Sequence, residues 1–445
     1  MRLISQFIVF EQLNSSLTSQ MISLRFIVVI GMCLVCQEWA AAQTLGLGQL
    51  IQRAINSHPS IRSQLSNEKS AQLGIETAQY QKYPTPQLSL ESVKKNSHDP
   101  TYIGGDGVAT IRITQPIFNG GQFASQLDKA KGNLTLSQAS VNETRRQIAL
   151  RVVQAYADWV IADWKAQSIA KSLAVHQKLL QQAKNRINEG VSPASDLILV
   201  QGRIDATNAE LFSTKLQADL AIQKLGELTE FPLTSDELKK DLSGPVFPTL
   251  MVDSLLANAQ MYSPELQKAK AQALISKANI QEKESALKPD VYLRAERQYG
   301  NYFSSTDSGA HSRIFVGVTS KFGPGFSSLT QISSAKYQDE ASEFDIQSQQ
   351  KIIREQVLND VSVLQSIKQR IQATDGALQS SVSVFESFER QFNSGRKTWL
   401  ELMTVVKEVV QNEIQLAEIR GSELQTSWHL HIVTSDSYSQ KSTQP

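Results

Sequence analysis

The sequence predicts a mainly α-helical chain built as two copies of one unit, each a β-hairpin continued by a long coiled-coil helical hairpin. Three observations carry that expectation. Structural punctuation recurs at 205 residues, where Pro59 answers Pro264, Pro84 answers Pro289 and Gly190 answers Gly395. A period this long marks a duplicated half-molecule, because solenoid repeats run roughly 20 to 50 residues. Apolar residues then recur in alternating steps of four and three from Ile148 through Val152, Ala155, Trp159, Ala162, Ala166, Ile169, Leu173, His176, Leu180 and Ala183 to Ile187, a coiled-coil seam. The same steps 205 residues later run from Ile353 to Phe392, interrupted by Asp360, Thr374 and Ser381. Finally, Gly (22) and Pro (13) are scarce in 445 residues, which favours long helices over loops. Length alone suggests about three ordinary domains of roughly 150 residues, and the duplication overrides that count.

The N-terminus reads as an export signal, residues 1–42. Arg25 supplies the positive region, Phe26 to Cys36 is almost wholly apolar, and Ala40-Ala41-Ala42 offers the small residues cleaved before Gln43. Met21 is the more natural start. The apolar run falls short of the roughly 20 residues of a spanning helix. Cys33 and Cys36 both lie inside the signal, so the mature chain holds no cysteine.

The first repeat is expected at 43–229 and the second at 252–433, joined by a linker at 230–251 and followed by a tail at 434–445. Each opens with one helix, about 45–82 and 252–287, stopped by Pro84 and Pro289. Period-two alternation then predicts strands at Gln87–Glu91 and Val108–Thr114, and at Val291–Glu296 and Ile314–Thr319. Loops rich in Gly, Ser, Asp and Asn make hairpins of them, 86–118 and 290–322. Gly120-Gly121 and Gly323-Pro324-Gly325 break the chain before the seams. Residues 124–189 give an arm roughly 100 Å long at 1.5 Å per residue. Gly190 ends it with a left-handed residue, Ser192-Pro193 restarts a helix, and the chain returns on Leu197, Val200, Ile204 and Leu211. After Gly395 the mate returns on Leu402, Val405 and Val409.

The strands carry Leu88, Leu90, Ile111, Ile113, Val291, Leu293, Val316 and Val318 on one face and polar residues on the other. Tyr83, Phe118, Phe123, Tyr299, Tyr302, Phe303, Phe322 and Phe326 gather near their ends. That is the pattern of an outer-membrane barrel with an apolar belt and aromatic girdles. Four strands cannot close a barrel, so the chain must oligomerise.

Other functions find no support. A net charge of +1 without long charged runs gives no footprint for nucleic acid. There is no phosphate-binding glycine loop, no H-E-x-x-H and no Ser/His/Asp cluster, so neither an enzyme nor a cofactor is expected. His429 and His431 are two apart and face different sides of a helix.

Thr114-Gln115-Pro116-Ile117-Phe118-Asn119-Gly120-Gly121 is similar to the strand-to-helix signature of the TolC family of outer-membrane channel-tunnels, and the resemblance extends over residues 45–433. It implies a homotrimer with a 12-stranded barrel in the outer membrane of a Gram-negative bacterium and a 12-helix periplasmic tunnel. It also implies a periplasmic adaptor and an inner-membrane transporter as partners. The second tip, Gly395 to Leu402, and His429 to Thr434 look most like the branch serving type I secretion of large adhesins through an ABC transporter. The alternative is a drug-efflux outlet driven by a proton-coupled pump.

By the same resemblance the tips carry the partner and the gate. Gly190, Val191, Leu197, Gly395, Arg396, Trp399 and Leu400 are expected to meet the adaptor. Asp196 and Glu401 each lie six residues past their tip glycine. Asp196 is expected to pair with Lys397, and Glu401 to form a ring of carboxylates in a trimer. Phe392 stands where the family has a tyrosine and Thr404 where it has a second acidic ring, which implies a looser constriction.

Overall fold

A computed structural model describes residues 44–92, 107–190, 194–247, 251–300, 309–320 and 324–436. The expected signal, Met21, both cysteines, Val191, Ser192-Pro193, Gly323 and most of the hairpin loops and tail lie outside these residues. In chain order the elements are α1 (Leu47–Ser57), α2 (Pro59–Tyr80), β1 (Thr85–Ser92), β2 (Gly107–Asn119), α3 (Gln122–Asn188) and α4 (Ala194–Thr229). After a short 3-10 turn come α5 (Val252–Tyr262), α6 (Pro264–Ser285), β3 (Asp290–Tyr299), β4 (Ala310–Thr319), a second 3-10 turn, α7 (Ser327–Asn393) and α8 (Trp399–Thr434). Helix lengths of 11, 22, 67 and 36 residues occur in that order in both halves.

The opening helix of each half, expected to be continuous, is two helices. The residue before a proline is pushed out of the α region. His58 (ψ 129°) and Ser263 (ψ 115°) accordingly turn extended. Each then caps the helix it precedes, His58 Nδ1 accepting from Ser60 N–H at 3.2 Å and Ser263 Oγ from Leu266 N–H at 3.1 Å. The prolines that mark the duplication also bend the chain.

The strands form one antiparallel sheet in the order β1-β2-β3-β4. The central β2–β3 pair joins the two halves, with a register shift at Pro116/Phe118 where proline offers no N–H. Register pairs Leu88 with Ile111, Leu293 with Val316 and Val291 with Val318, which places all eight expected apolar residues on one face. That face is bare: Leu90 is 75% exposed and Val316 77%. The opposite face is polar, with Arg112 donating to Glu296 at 3.1 Å and the Arg294 guanidinium 4.4 Å above the Phe315 ring. Tyr83, Phe118, Tyr299 and Phe326 are exposed near the strand ends.

Below the sheet the helices lie side by side in a single layer. Near the strands the order is α2, α3, α6, α7; towards the tips it is α4, α3, α8, α7. The main core lies at mid-height, where α1 packs on α3 and α4 around Leu50, Ile51, Val152, Trp159, Leu225 and Leu228. Full burial of such a side chain stabilises by about 1.5 to 3 kcal/mol. Tyr156, fully buried and 5.6 Å edge-on from Trp159, donates its hydroxyl to the carbonyl of Lys239 and ties the linker to α3. A second core holds Leu255, Leu266, Val357, Leu364 and Leu430. The seam residue Asp360 meets His429 beside it, Oδ2 to Nδ1 at 2.6 Å.

Both seams contain a polar layer at the same height. The Thr207 hydroxyl donates to the Arg203 carbonyl at 2.8 Å, so His176 Nδ1–H donates to Thr207 at 3.2 Å and Nε2 faces the Ser172 hydroxyl at 3.4 Å. In the other half Asn412 Nδ2 donates to Ser381 Oγ at 3.1 Å, and these two residues are the 205-residue counterparts of Thr207 and His176. Burial, with a smaller contribution from Arg203, pulls the His176 pKa down to about 4. The fold therefore favours the neutral ring. Its contribution to stability is complete above the unfolded pKa near 6.5 and is lost as pH falls through the interval down to about 4. The melting temperature of detergent-extracted protein should fall by a few degrees more between pH 7 and 5 in the wild type than in His176→Asn; equal slopes would show that this ring does not titrate within the fold.

Candidate functional site

Two surfaces combine exposure with chemistry: the helical tips and the bare face of the sheet. At the first tip, Gly190 adopts φ +72° and donates its N–H to the Ile187 carbonyl at 3.0 Å. At the second, Gly395 adopts φ +76° and donates to Phe392, while Arg396 N–H reaches the Gln391 carbonyl at 2.9 Å. A left-handed residue lets the chain reverse within a few residues, and glycine takes it without a Cβ clash.

The residues expected at the tips separate into two groups. Arg396 is exposed and Leu400 is 60% exposed, available to a partner; Leu197 and Asp196 are half-buried on the first turn of α4. Trp399 instead contributes to a small core with Leu179, Phe392, Leu402 and Met403, flanked by Phe385 and Phe388. Phe392 is only 3% exposed there, so the structure places it inside the hairpin. Lys178–Glu389 at 2.8 Å and Gln182–Asn393 at 3.3 Å link α3 to α7 across this end. Sequence reading passed over Ile198 and Leu199, 75% and 57% exposed just beyond the first tip. Their signal was present, because two adjacent aliphatics cannot both face one helix partner.

Glu401 is the most constrained carboxylate of the tip. It accepts from Thr398 N–H at 2.9 Å and Thr398 Oγ1–H at 2.9 Å, while Thr398 Oγ1 lies 3.3 Å from Glu401 N. This is a reciprocal capping box, legible in the sequence as Thr-x-x-Glu. Lys397 Nζ donates to Glu401 Oε1 at 2.6 Å and lies 4.6 Å from the Phe388 ring centre. Hydrogen bonds from Lys397 and then Thr398 draw the Glu401 pKa down to about 2. The pair expected between Asp196 and Lys397 is thus not formed within the chain. The i,i+4 geometry puts Glu401 within direct reach of Lys397 on the same turn.

Among the described residues no helix is long and apolar enough to cross a membrane, and no group of three or more His, Cys, Asp or Glu is arranged to hold a metal ion. The sheet presents an exposed apolar face that includes Leu88, Leu90, Ile111, Ile113, Val316 and Val318.

Residues 50–229 match the family model described as outer membrane efflux protein. The outer membrane protein TolC of Vibrio cholerae is 21% identical over 323 residues, spanning 70% of this chain and 73% of that protein. Among solved structures, the V. cholerae outer membrane protein VceC superposes with a TM-score of 0.73 at 17% identity, covering 87% of this chain and 96% of that one. The Campylobacter jejuni CmeC outer membrane channel gives 0.74 at 12% identity, covering 90% and 87%. The Neisseria gonorrhoeae MtrE outer membrane channel, in its open state, gives 0.71 at 15%, covering 88% and 92%. With a β-hairpin and a long helical hairpin repeated in one chain and an apolar sheet face, the chain has the fold of these outer-membrane channels, and over residues 50–229 it is similar to the outer membrane efflux proteins.

Proposed function

We propose that three copies of this chain form the outer-membrane exit duct of a tripartite export system, conducting cargo without chemical change. The observation that carries this reading is the four-stranded sheet, open at β1 and β4, with an apolar face outward and two 67-residue helices continuing from it. Lipid leaves no alternative partner for the edge N–H and C=O groups, so spanning sheets close on themselves. Three copies supply 12 strands, above the minimum of about eight. The helices carry the duct roughly 100 Å from the membrane. A periplasmic adaptor docks at the tips around Gly190 and Gly395, against Leu197, Leu400 and Arg396, and an inner-membrane ABC transporter supplies the energy. The cargo is a large adhesin-type protein, on the strength of the second tip and the C-terminal His429 to Thr434.

A second reading, a small-molecule efflux outlet beside a proton-driven pump, is favoured by the description of the matched family as efflux proteins. In both, Glu401 lines a constriction at the tip. Its carboxylate is held in place by Thr398 and Lys397 and stays ionised well into acid.

Amine cross-linking of detergent-extracted protein should stop at three copies; a folded chain that stays monomeric and water-soluble without detergent would defeat the duct. In planar bilayers, Glu401→Gln, which keeps hydrogen-bonding capacity at the cap, should weaken block by multivalent cations from the periplasmic side several-fold, and Asp196→Ala should raise resting conductance. Unchanged currents in both would remove the gate from these residues. Gly190→Val or Gly395→Val should abolish export while trimers persist. Loss of one large secreted protein from the medium marks type I secretion, whereas drug sensitivity with normal secretion marks efflux, and export at wild-type level would remove the tips as the docking site.

A further inference from the structure

We propose that the cleft between α4 and α8, floored by α3, binds a small amphipathic organic anion, a carboxylate carried on an aryl or short acyl body. Ile169, Ser172 and His176 follow one another on α3 at steps of three and four, and matching stripes on α4 and α8 face the same space of about 290 Å³. That lies at the small end of ligand pockets, which run from roughly 300 to 1,000 Å³, and suits a small molecule better than a polypeptide segment. Every lining residue comes from one chain, so the site does not depend on assembly. His176 precedes Gly190 by 14 residues. The cleft therefore sits roughly 20 Å along the helices from the tip and is separate from it.

The lining offers both halves of such a ligand a place. Ile169 and Met403 are buried and Val410 and Ile414 half-buried, which gives the apolar body a seat. Two cations enter from opposite walls, Arg203 on α4 and Lys407 on α8. By the 205-residue spacing Lys407 answers Gly202, so on helices of equal length that turn on matched glycines it stands level with Arg203. Among the described residues neither cation makes an ion pair. Glu210, the carboxylate of the lining, is one heptad further along α4, roughly 10 Å away by the helix rise. The buried His176 ring, neutral with its pKa drawn down to about 4, adds no charge of its own at neutral pH. The Ser172 hydroxyl meets Nε2 at 3.4 Å, the longest contact of that polar layer, and is free to turn towards an incoming acceptor. Like charges facing one apolar-walled space favour an anion there more than they would in open water.

An exposed arginine or lysine is ordinarily a solvated surface charge. The second repeat shows that the fold does not require this pair. Ser381 and Asn412 keep the polar layer there, yet the counterpart of Arg203 is Glu408 and that of Lys407 is Gly202. The apolar floor changes with them, since Ile169 answers Thr374. Cations and apolar seat therefore occur together once per chain, at one of two positions that the backbone makes equivalent. A carboxylate held by Arg203 and Lys407 would also bridge the returning helices of the two repeats across α3, pinning the hairpins to each other.

Methionine supplies a local probe. After residue 43 the methionines are Met251, Met261 and Met403, and of these Met403 lines the cleft. In detergent-extracted full-length protein labelled with ¹³C-methyl methionine, benzoate and hexanoate should shift the Met403 resonance saturably, at one equivalent per chain, and leave Met251 and Met261 in place. Acetate, which lacks the apolar body, and benzyl alcohol, which lacks the charge, should each need about tenfold more for the same shift. Arg203→Gln and Lys407→Gln, both at exposed positions where the fold tolerates the change, should each weaken benzoate about tenfold, and Lys215→Gln, on α4 outside this cleft, should not. Equal binding of benzyl alcohol, or unchanged affinity in both cleft variants, would overturn the anion site. Shifts at all three methionines together, or none at Met403, would overturn the cleft as the place of binding. None of these outcomes bears on the duct, which is tested by the cross-linking and conductance measurements above.

Discussion

Unpaired backbone at the two edges of one small sheet governs this molecule. A strand edge in water is a hazard; in hydrocarbon each unsatisfied group costs several kcal/mol. The sheet has an exposed apolar face and its Arg112–Glu296 and Arg294 network on the other side, so it has an apolar side and a polar side. Among the described residues neither edge pairs with a further strand. Everything else extends this condition downwards: the helical layer inherits the sheet's two open sides, and its outer helices carry the bare apolar residues.

Duplication does not make the two halves interchangeable. Ion pairs and glycine contacts concentrate where the halves meet inside one chain, and aromatic residues where they end. Identical halves would pair as readily with themselves as with each other. Divergence of side-chain size at matched positions removes that ambiguity while the backbone stays repeated, a use of sequence to select one register among near-equivalent ones.

Much of this was legible beforehand. The seam from Ile148 to Ile187 is buried at most of its positions because a heptad pattern depends only on spacing along one helix. The strand faces followed for the same reason, as period two leaves no choice once one residue is placed. Bends and ion pairing are harder to read from spacing. Pro59 and Pro264 mark the repetition and also bend the chain, through the restriction each places on the residue before it. Within the chain the partner of Lys397 is the nearest carboxylate on its own helical turn, Glu401. Trp399 and Phe392 show the remaining difficulty: a large aromatic beside a turn serves packing or contact equally well until its neighbours are known.

The equal arms have a consequence for how such a chain changes over time. Each half descends through 67 residues and returns through 36, and both tips turn on glycine at the same depth. Removing one residue from a single arm would lift its tip by about 1.5 Å and swing every side chain below the deletion by about 100° about the helix axis. The polar layers at His176/Thr207 and Ser381/Asn412 would then stand at different heights and face different ways. Length is therefore constrained as a matched set, and the seams keep their facing only where whole heptads change together in all four arms.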